Sequence, residues 1–362
     1  MVASELDLKG AEVEQFDATK AKLISKRRLV TLPQWATAWI VLIPALIFIC
    51  MFMLYPILNT FLYAFMQDFT MIKNGGSFAI GQFLQTVAKN KSVNGFFGFG
   101  NFVEAVGNPD FINSIGNTAI LTIVEVPLTI IVSLLIATFL NNIKVLKGFY
   151  QTIFFLPYVT NTIALGLIFN IAFKNTQGGL VNIVLMKVFG LENPVNFLAY
   201  NSNYGTVASK FNQGIVIVLY ALWNGLAFKI LVFMSGLATI DKQYSDAARI
   251  DGASNFTIWR RITLPLLSPQ ILYITITSFI GSFKMYTGVV AVYSEVSSDG
   301  GYYFGGTGND WIPVVGWIYK YMSQADNALK PGVQSAASLI LLAIIMAITV
   351  VQFAVSKKRV HY

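Results

Sequence analysis

Residues 240–269 read IDKQYSDAARIDGASNFTIWRRITLPLLSP and stand between two long apolar runs. Asp241 has the side chain of an N-cap and precedes a helical stretch through Arg249. Gly252 breaks or bends that helix, and a second amphipathic stretch follows over 254–262, with Phe256, Trp259 and Ile262 at helical spacing. Leu264-Pro265 then stops the second helix and restarts the chain. Ala247-Ala248 leave a patch of small side chains where another surface can come close to the backbone. The reading is a polar two-helix elbow held between apolar helices.

Working outward, the apolar runs are long enough to cross a hydrocarbon core, which takes about 20 residues per helix. Six spans are expected, at 36–63, 115–140, 150–173, 214–240, 265–294 and 333–356. No charge lies between Arg28 and Asp68, between Lys147 and Lys174, or between Lys330 and Lys357. Of the 362 residues 55% are hydrophobic and only 12% charged, against roughly 25% charged in soluble domains. The class is therefore an all-α membrane protein. With one cysteine, Cys50, expected as a small buried hydrophobe, and one histidine, His361, the chain cannot assemble a Cys/His zinc site or a Ser–His triad in its core. No catalytic residue, metal or cofactor is expected, and no Walker-type loop is present. Gly98-x-Gly100 lacks the third glycine and the strand–helix setting of a phosphate turn.

The net charge of +8 would point to nucleic acid on a soluble protein, but here it sorts by membrane side. With the N-terminus inside, 15 Lys/Arg fall on cytoplasmic segments and eight on the longer external ones. The positive-inside bias gives N-in, C-in, with Trp35 and Trp39 at the interfacial entry to the first helix. The organisation is a cytoplasmic tail over 1–34 without a cleavable leader, a transmembrane domain over 35–356 and a basic tail over 357–362. An external loop occupies 68–114 and the elbow 241–264.

Asp246-Ala247-Ala248-x-x-x-Gly252, then nine residues, then Ile262-x-Leu264-Pro265 resembles the EAA---G---------I-LP motif of permeases of binding-protein-dependent ABC importers. Asp246 stands where that family usually has Glu, one methylene shorter. Asp251-Gly252-Ala253 and Ile262-Thr263-Leu264-Pro265-Leu266-Leu267 are similar to the carbohydrate-type branch. The looser likeness covers about residues 35–356: Ile43-Pro44-Ala45 and Tyr55-Pro56-Ile57, Gly100-Asn101-Phe102 with Asn108-Pro109-Asp110-Phe111, Phe154-Phe155-Leu156-Pro157-Tyr158, and Trp223 with Ser235-Gly236-Leu237. The family's T-x-GGP run is met only by Gly300-Gly301 and Gly305-Gly306-Thr307, without the proline.

The resemblance implies the type I importer permease fold and a subunit without its own ATPase site, set in the cytoplasmic membrane of a bacterium or archaeon. The implied partners are ABC ATPase subunits, a second permease (a homologue or a copy of itself) and an extracytoplasmic sugar-binding protein, with no nucleic acid. Asp246, Ala247, Ala248, Gly252, Ile262, Leu264 and Pro265 would couple to the ATPase. The implied cargo is a sugar or oligosaccharide, with an anionic polyol such as glycerol 3-phosphate as the alternative; an intramembrane enzyme or a structural subunit is the reading from another class.

Glu125, Lys229 and Lys284 lie within the expected spans, where ionisable groups face a cavity or pair with one another. For Lys284 the expectation is a donor to the cargo, with Phe283 and Tyr286 stacking on sugar faces; a Glu125–Lys284 or Glu125–Lys229 structural pair is the alternative. Pro127 and Pro157 are expected to kink their helices, and Tyr158 and Asn161 to face the space so opened.

Overall fold

A computed structural model describes residues 33–67, 97–143, 145–198, 206–293, 295–296, 302–303, 311–323 and 331–356. The tails, most of the 68–114 loop, and Gly300-Gly301 and Gly305-Gly306-Thr307 lie outside these residues. By contacts the chain divides into Met1–Asn59 and Thr60–Tyr362.

In the first unit, α1 (Gln34–Ile49) passes through a π turn at Cys50–Leu54 into α2 (Tyr55–Phe65), which continues into the second unit. Pro56 brings no N–H to the helix, and the widened turn that ends two residues before it absorbs the missing bond. Cys50 is exposed on this turn rather than buried: a helix surface destined for lipid needs no protein cover.

The second unit is built on α4 (Pro109–Asn142) and α8 (Thr206–Thr239), the most extensive helix pairing among the described elements. Before α4 comes α3 (Gly100–Gly107). Between α4 and α8 stand α5 (Lys147–Val159), α6 (Thr162–Ala172) and α7 (Leu180–Phe189). Then follow the elbow helices α9 (Lys242–Ile250), α10 (Asn255–Ile258) and α11 (Leu264–Leu266). The rest comprises α12 (Ser268–Phe283), α13 (Thr287–Val292), α14 (Val314–Ser323) and α15 (Pro331–Ser356). A short antiparallel pair, β1 (Glu295–Val296) and β2 (Tyr302–Tyr303), lies before α14.

Among the described residues four helices are long and apolar enough to span a membrane, and up to six spans result if each of two bent pairs counts as one. The bends correct the expected spans. The third is broken by 97° between Val159 and Thr162 rather than kinked at Pro157, because Asn161 starts a new helix there: its Oδ1 accepts from the N–H groups of Ile163 at 2.8 Å and Ala164 at 3.4 Å. The fifth, expected over 265–294, runs only from Ser268 to Phe283. Its preceding break falls at Leu267, past Leu264-Pro265, since a π turn at Trp259–Thr263 accommodates Pro265 just as Cys50–Leu54 accommodates Pro56. The chain leaves the helical path over Lys284–Tyr286 so that α13 packs on α6, where Gly166 closes against Ala291. Pro127, by contrast, lies within an uninterrupted 34-residue helix.

The stretches expected as external loops carry structure fixed by asparagines. Asn108 caps α4 by accepting from Asp110 N–H at 2.9 Å, starting that helix six residues before the expected 115. Asn182, fully buried, donates to the carbonyls of Lys174 and Val195, each at 3.0 Å, and so fastens α7 to the end of α6. The buried Asn101 amide donates to the carbonyls of Tyr63, Ala64 and Met66 at 3.2, 3.1 and 2.9 Å, meeting the orphan acceptors at the end of α2. Gly332 of α15 closes over that amide, and a Cβ there would sit 2.8 Å from Asn101 Cγ. Asn101→Ala is accordingly expected to destabilise the protein by about 1–3 kcal/mol, seen as a lowered midpoint of thermal unfolding in detergent, and an unchanged midpoint would contradict this role.

Candidate functional site

Two places gather the residues singled out by sequence. The first is the elbow. Asp241 caps α9 as expected, accepting from Gln243 N–H at 2.9 Å. At the other end Gly252 has φ +79°, with Ala253 N–H donating to Ala248 O at 2.9 Å and Gly252 N–H to Arg249 O at 3.0 Å. This is the paired bonding of a Schellman cap, and it requires a left-handed residue. Ser254 opens α10 by accepting from Thr257 N–H at 3.3 Å. The second arm is tied to α4 by Trp259, whose indole donates to Thr138 Oγ1 at 3.2 Å, and Trp259 and Leu264 pack against the Leu140 and Phe233 core. The outward side is left open: Asp246, Ala247, Gly252 and Pro265 are exposed and Ala248 and Ile262 half-buried. Tyr244, Phe256 and above all Ile250, 87% exposed, surround them. Asp246 pairs with Arg249 at 3.6 Å across one helical turn.

The second place is a cavity of about 580 Å³ beside the middle of α4. Glu125 of α4, Tyr220 and Lys229 of α8, and Thr277 and Ser282 of α12 wall it, and the broken ends of the third and fifth spans open onto it through Tyr158, Lys284 and Tyr286. Glu125 and Lys229 are buried and attract each other electrostatically without forming a contact ion pair. Ser282 Oγ donates to Glu125 Oε2 at 2.8 Å and meets Thr122 Oγ1 at 2.9 Å. Tyr220 OH donates to Thr162 O at 3.2 Å, tethering the break in the third span to α8. Aromatic pairs flank the opening, Tyr158 on Phe228 with ring centroids 6.2 Å apart and Tyr286 on Tyr319 at 5.1 Å. Lys284 is exposed into this space. Among the described residues no three of His, Cys, Asp and Glu come together.

Two expected wall residues are placed elsewhere. Phe283 is buried against Val314, Trp317 and Ala337, on the side of α12 that meets α14 and α15. Asn161 is occupied as the α6 cap. Conversely, sequence reading missed Tyr220, Asn224, Thr277 and Ser282. The partner of Ser282, Thr122, did carry a signal: Ser114, Thr118, Thr122, Thr129 and Ser133 recur at helical spacing in α4 and are all buried.

Glu125→Gln removes the counter-charge that Lys229 faces and weakens the acceptor of the Ser282 hydroxyl; with no contact ion pair to break, the expected loss is about 1–3 kcal/mol. The double variant Glu125→Gln/Lys229→Gln is expected to recover much of that loss in thermal unfolding. Simple addition of the two single effects would show that the charges do not act together.

Residues 129–361 match the family model described as binding-protein-dependent transport system inner membrane component. The chain is 28% identical over 264 residues to the lactose transport system permease protein LacF of Rhizobium radiobacter, covering 73% of this chain and 77% of that one. It is 30% identical to the arabinooligosaccharides transport system permease protein AraP of Bacillus subtilis, over 72% and 76% of the two chains. To the sn-glycerol-3-phosphate transport system permease protein UgpA of Rhizobium meliloti it is 28% identical, over 74% and 83%. A chain in the crystal structure of a bacterial alginate ABC transporter in complex with alginate pentasaccharide-bound periplasmic protein superposes with a TM-score of 0.67. That match covers 89% of this chain and 94% of that one at 17% identity, a likeness of fold.

Proposed function

Since the chain belongs to the family of binding-protein-dependent transport system inner membrane components, we propose that it is the permease subunit of an ATP-driven importer that passes a sugar or oligosaccharide into the cytoplasm by alternating access. The single observation that carries this reading is the cavity at mid-α4, walled by tyrosines, hydroxyls, an amide and a few charges, the mixture that suits a polyhydroxy cargo. The lactose and arabinooligosaccharide relatives support the choice of cargo. ATP is hydrolysed by a separate ATPase that receives the elbow 241–264, with Asp246 facing a basic side chain, Ala247 and Ala248 allowing close approach, and Gly252 fixing the bend. Ile262, Leu264 and Pro265 carry the motion into α12. Because Trp259 ties the elbow to α4, closure of two ATPase subunits is transmitted as a rigid-body swing of the cavity walls.

A second permease, a homologue or another copy, completes the pathway, and an extracytoplasmic binding protein delivers the cargo. The chain lies N-in, C-in in a bacterial or archaeal cytoplasmic membrane, with the tails over 1–34 and 357–362 inside and the 68–114 loop outside. One observation favours the anionic alternative, a polyol such as glycerol 3-phosphate: the cavity holds two ammonium groups, Lys229 and Lys284, against one carboxylate, Glu125.

Uptake assays on the complete transporter test both levels. Asp246→Lys and Gly252→Pro are expected to keep the protein in the membrane while abolishing uptake and the stimulation of ATP hydrolysis by loaded binding protein; normal uptake in both would refute the coupling role. Lys284→Gln is expected to leave uptake of a neutral oligosaccharide nearly unchanged but to weaken that of a phosphate ester by about tenfold or more, the loss of one charge-assisted hydrogen bond. Equal effects on the two cargoes would remove Lys284 from cargo selection.

A further inference from the structure

A second pocket, of about 370 Å³, lies at the N-terminal end of α4, walled by Asp110, Asn113 and Asn117, by Lys210 of α8, and by Lys320 and Tyr321 of α14. In the N-in orientation this is the extracytoplasmic end. We propose that it is a second saccharide-binding pocket, a receiving site that the cargo occupies before the transmembrane cavity; the inference rests on the importer reading above.

The lining mixes acceptors with donors, a carboxylate, amides, a phenol and two ammonium groups. The Tyr321 phenol donates to Glu104 Oε1 at 3.2 Å and the Asn117 amide to Ile312 O at 3.5 Å, while Asp110 and Asn113 are exposed and offer an acceptor and an amide to the hydroxyls of a polyol, which both donate and accept. An acidic side chain from a docking protein would be drawn by the lysines yet repelled by Asp110, and an apolar one would strand the amides. Trp317, also in the wall, is buried, stacking on Tyr321 with centroids 4.9 Å apart and lying 4.8 Å from the ring of Phe111, so that it gives the pocket a fixed side rather than an open ring face.

The placement relative to the cavity adds to the argument. Ser114 lines this pocket and Glu125 lines the cavity. Eleven residues of α-helix turn through three full circles to within about 20° and rise about 16 Å, so the two sites open on the same face of one helix. Between them this face carries a chain of buried hydroxyls beside the apolar Leu121: Thr118 Oγ1 donates to Ser114 O at 2.8 Å and accepts from Val314 N–H at 3.0 Å, and Thr122 Oγ1 donates to Thr118 O at 2.7 Å. Ser282 then joins Thr122 to Glu125. The pocket and the cavity thus stand at the two ends of one chain of hydrogen bonds on α4.

Native mass spectrometry of the complete transporter, purified without binding protein and given a library of neutral and uronate-bearing di- to tetrasaccharides, tests this. For each copy of this chain one saccharide is expected in the inner cavity and one in the outer pocket; the outer one is lost in Asn113→Trp, which fills that pocket, and the inner one in Thr277→Trp, which fills the cavity. Lys320→Gln, on an exposed side chain, is expected to weaken the outer site by about tenfold, the value of one charge-assisted hydrogen bond. A single bound saccharide per copy, lost in Thr277→Trp and kept in Asn113→Trp and Lys320→Gln, overturns the outer site and leaves the importer reading standing. No bound saccharide at all overturns both.

Discussion

Hydrocarbon offers no partner to a polar group, so every polar atom drawn into a membrane protein must be answered from within it. The structure around α4 depends on that constraint. Thr118 and Thr122 return their hydroxyl hydrogens to carbonyls one turn back, and Thr122 then turns its oxygen to Ser282 while Thr118 receives the amide of Val314. The one carboxylate in the series, Glu125, is held by Ser282 and faced by Lys229. These bonds fix α12 and the start of α14 against α4. They also leave the charges at the wall of a cavity rather than in lipid.

The same constraint governs how the two bent helix pairs are tolerated. An interrupted transmembrane helix exposes backbone groups, which is tolerable where they are capped or border a cavity. Asn161 caps the break in the third span, and Tyr220 takes up the Thr162 carbonyl from α8. In the fifth, the departure at Lys284 delivers α13 to α6, and the small residues Gly166 and Ala291 let the two helices close. The breaks produce the opening through which Tyr158, Lys284 and Tyr286 reach the cavity.

Much of this was legible in the sequence because it is local. Asp241 as a cap, Gly252 as the break that ends α9, and the helix–break–helix form of the elbow follow from residue type and position, and the structure bears them out. The apolar runs were visible for the same reason, and family membership followed from the spacing of Asp246, Gly252 and Pro265. What escaped was set by tertiary contact. A proline was expected to bend the third span, yet the asparagine four residues on does so. Phe283 and Tyr286 are neighbours in sequence, but only a chain that leaves the helix at Lys284 turns them to opposite sides. Cys50 reads as a core residue from its apolar neighbours, yet it is exposed.

On the proposed function the elbow is the seat of a separate ATPase. The most direct measurement is a cross-link from that seat in native membranes: Ala247→Cys in a Cys50→Ser background, which leaves one thiol in the chain, joined by a short bifunctional reagent to whatever lies against it and identified by mass spectrometry. The account predicts a covalent partner carrying a Walker ATPase motif, at a position in its cleft, with yield changing when ATP is added. Cross-links formed only within this chain, in membranes where the protein is abundant and folded, would contradict it.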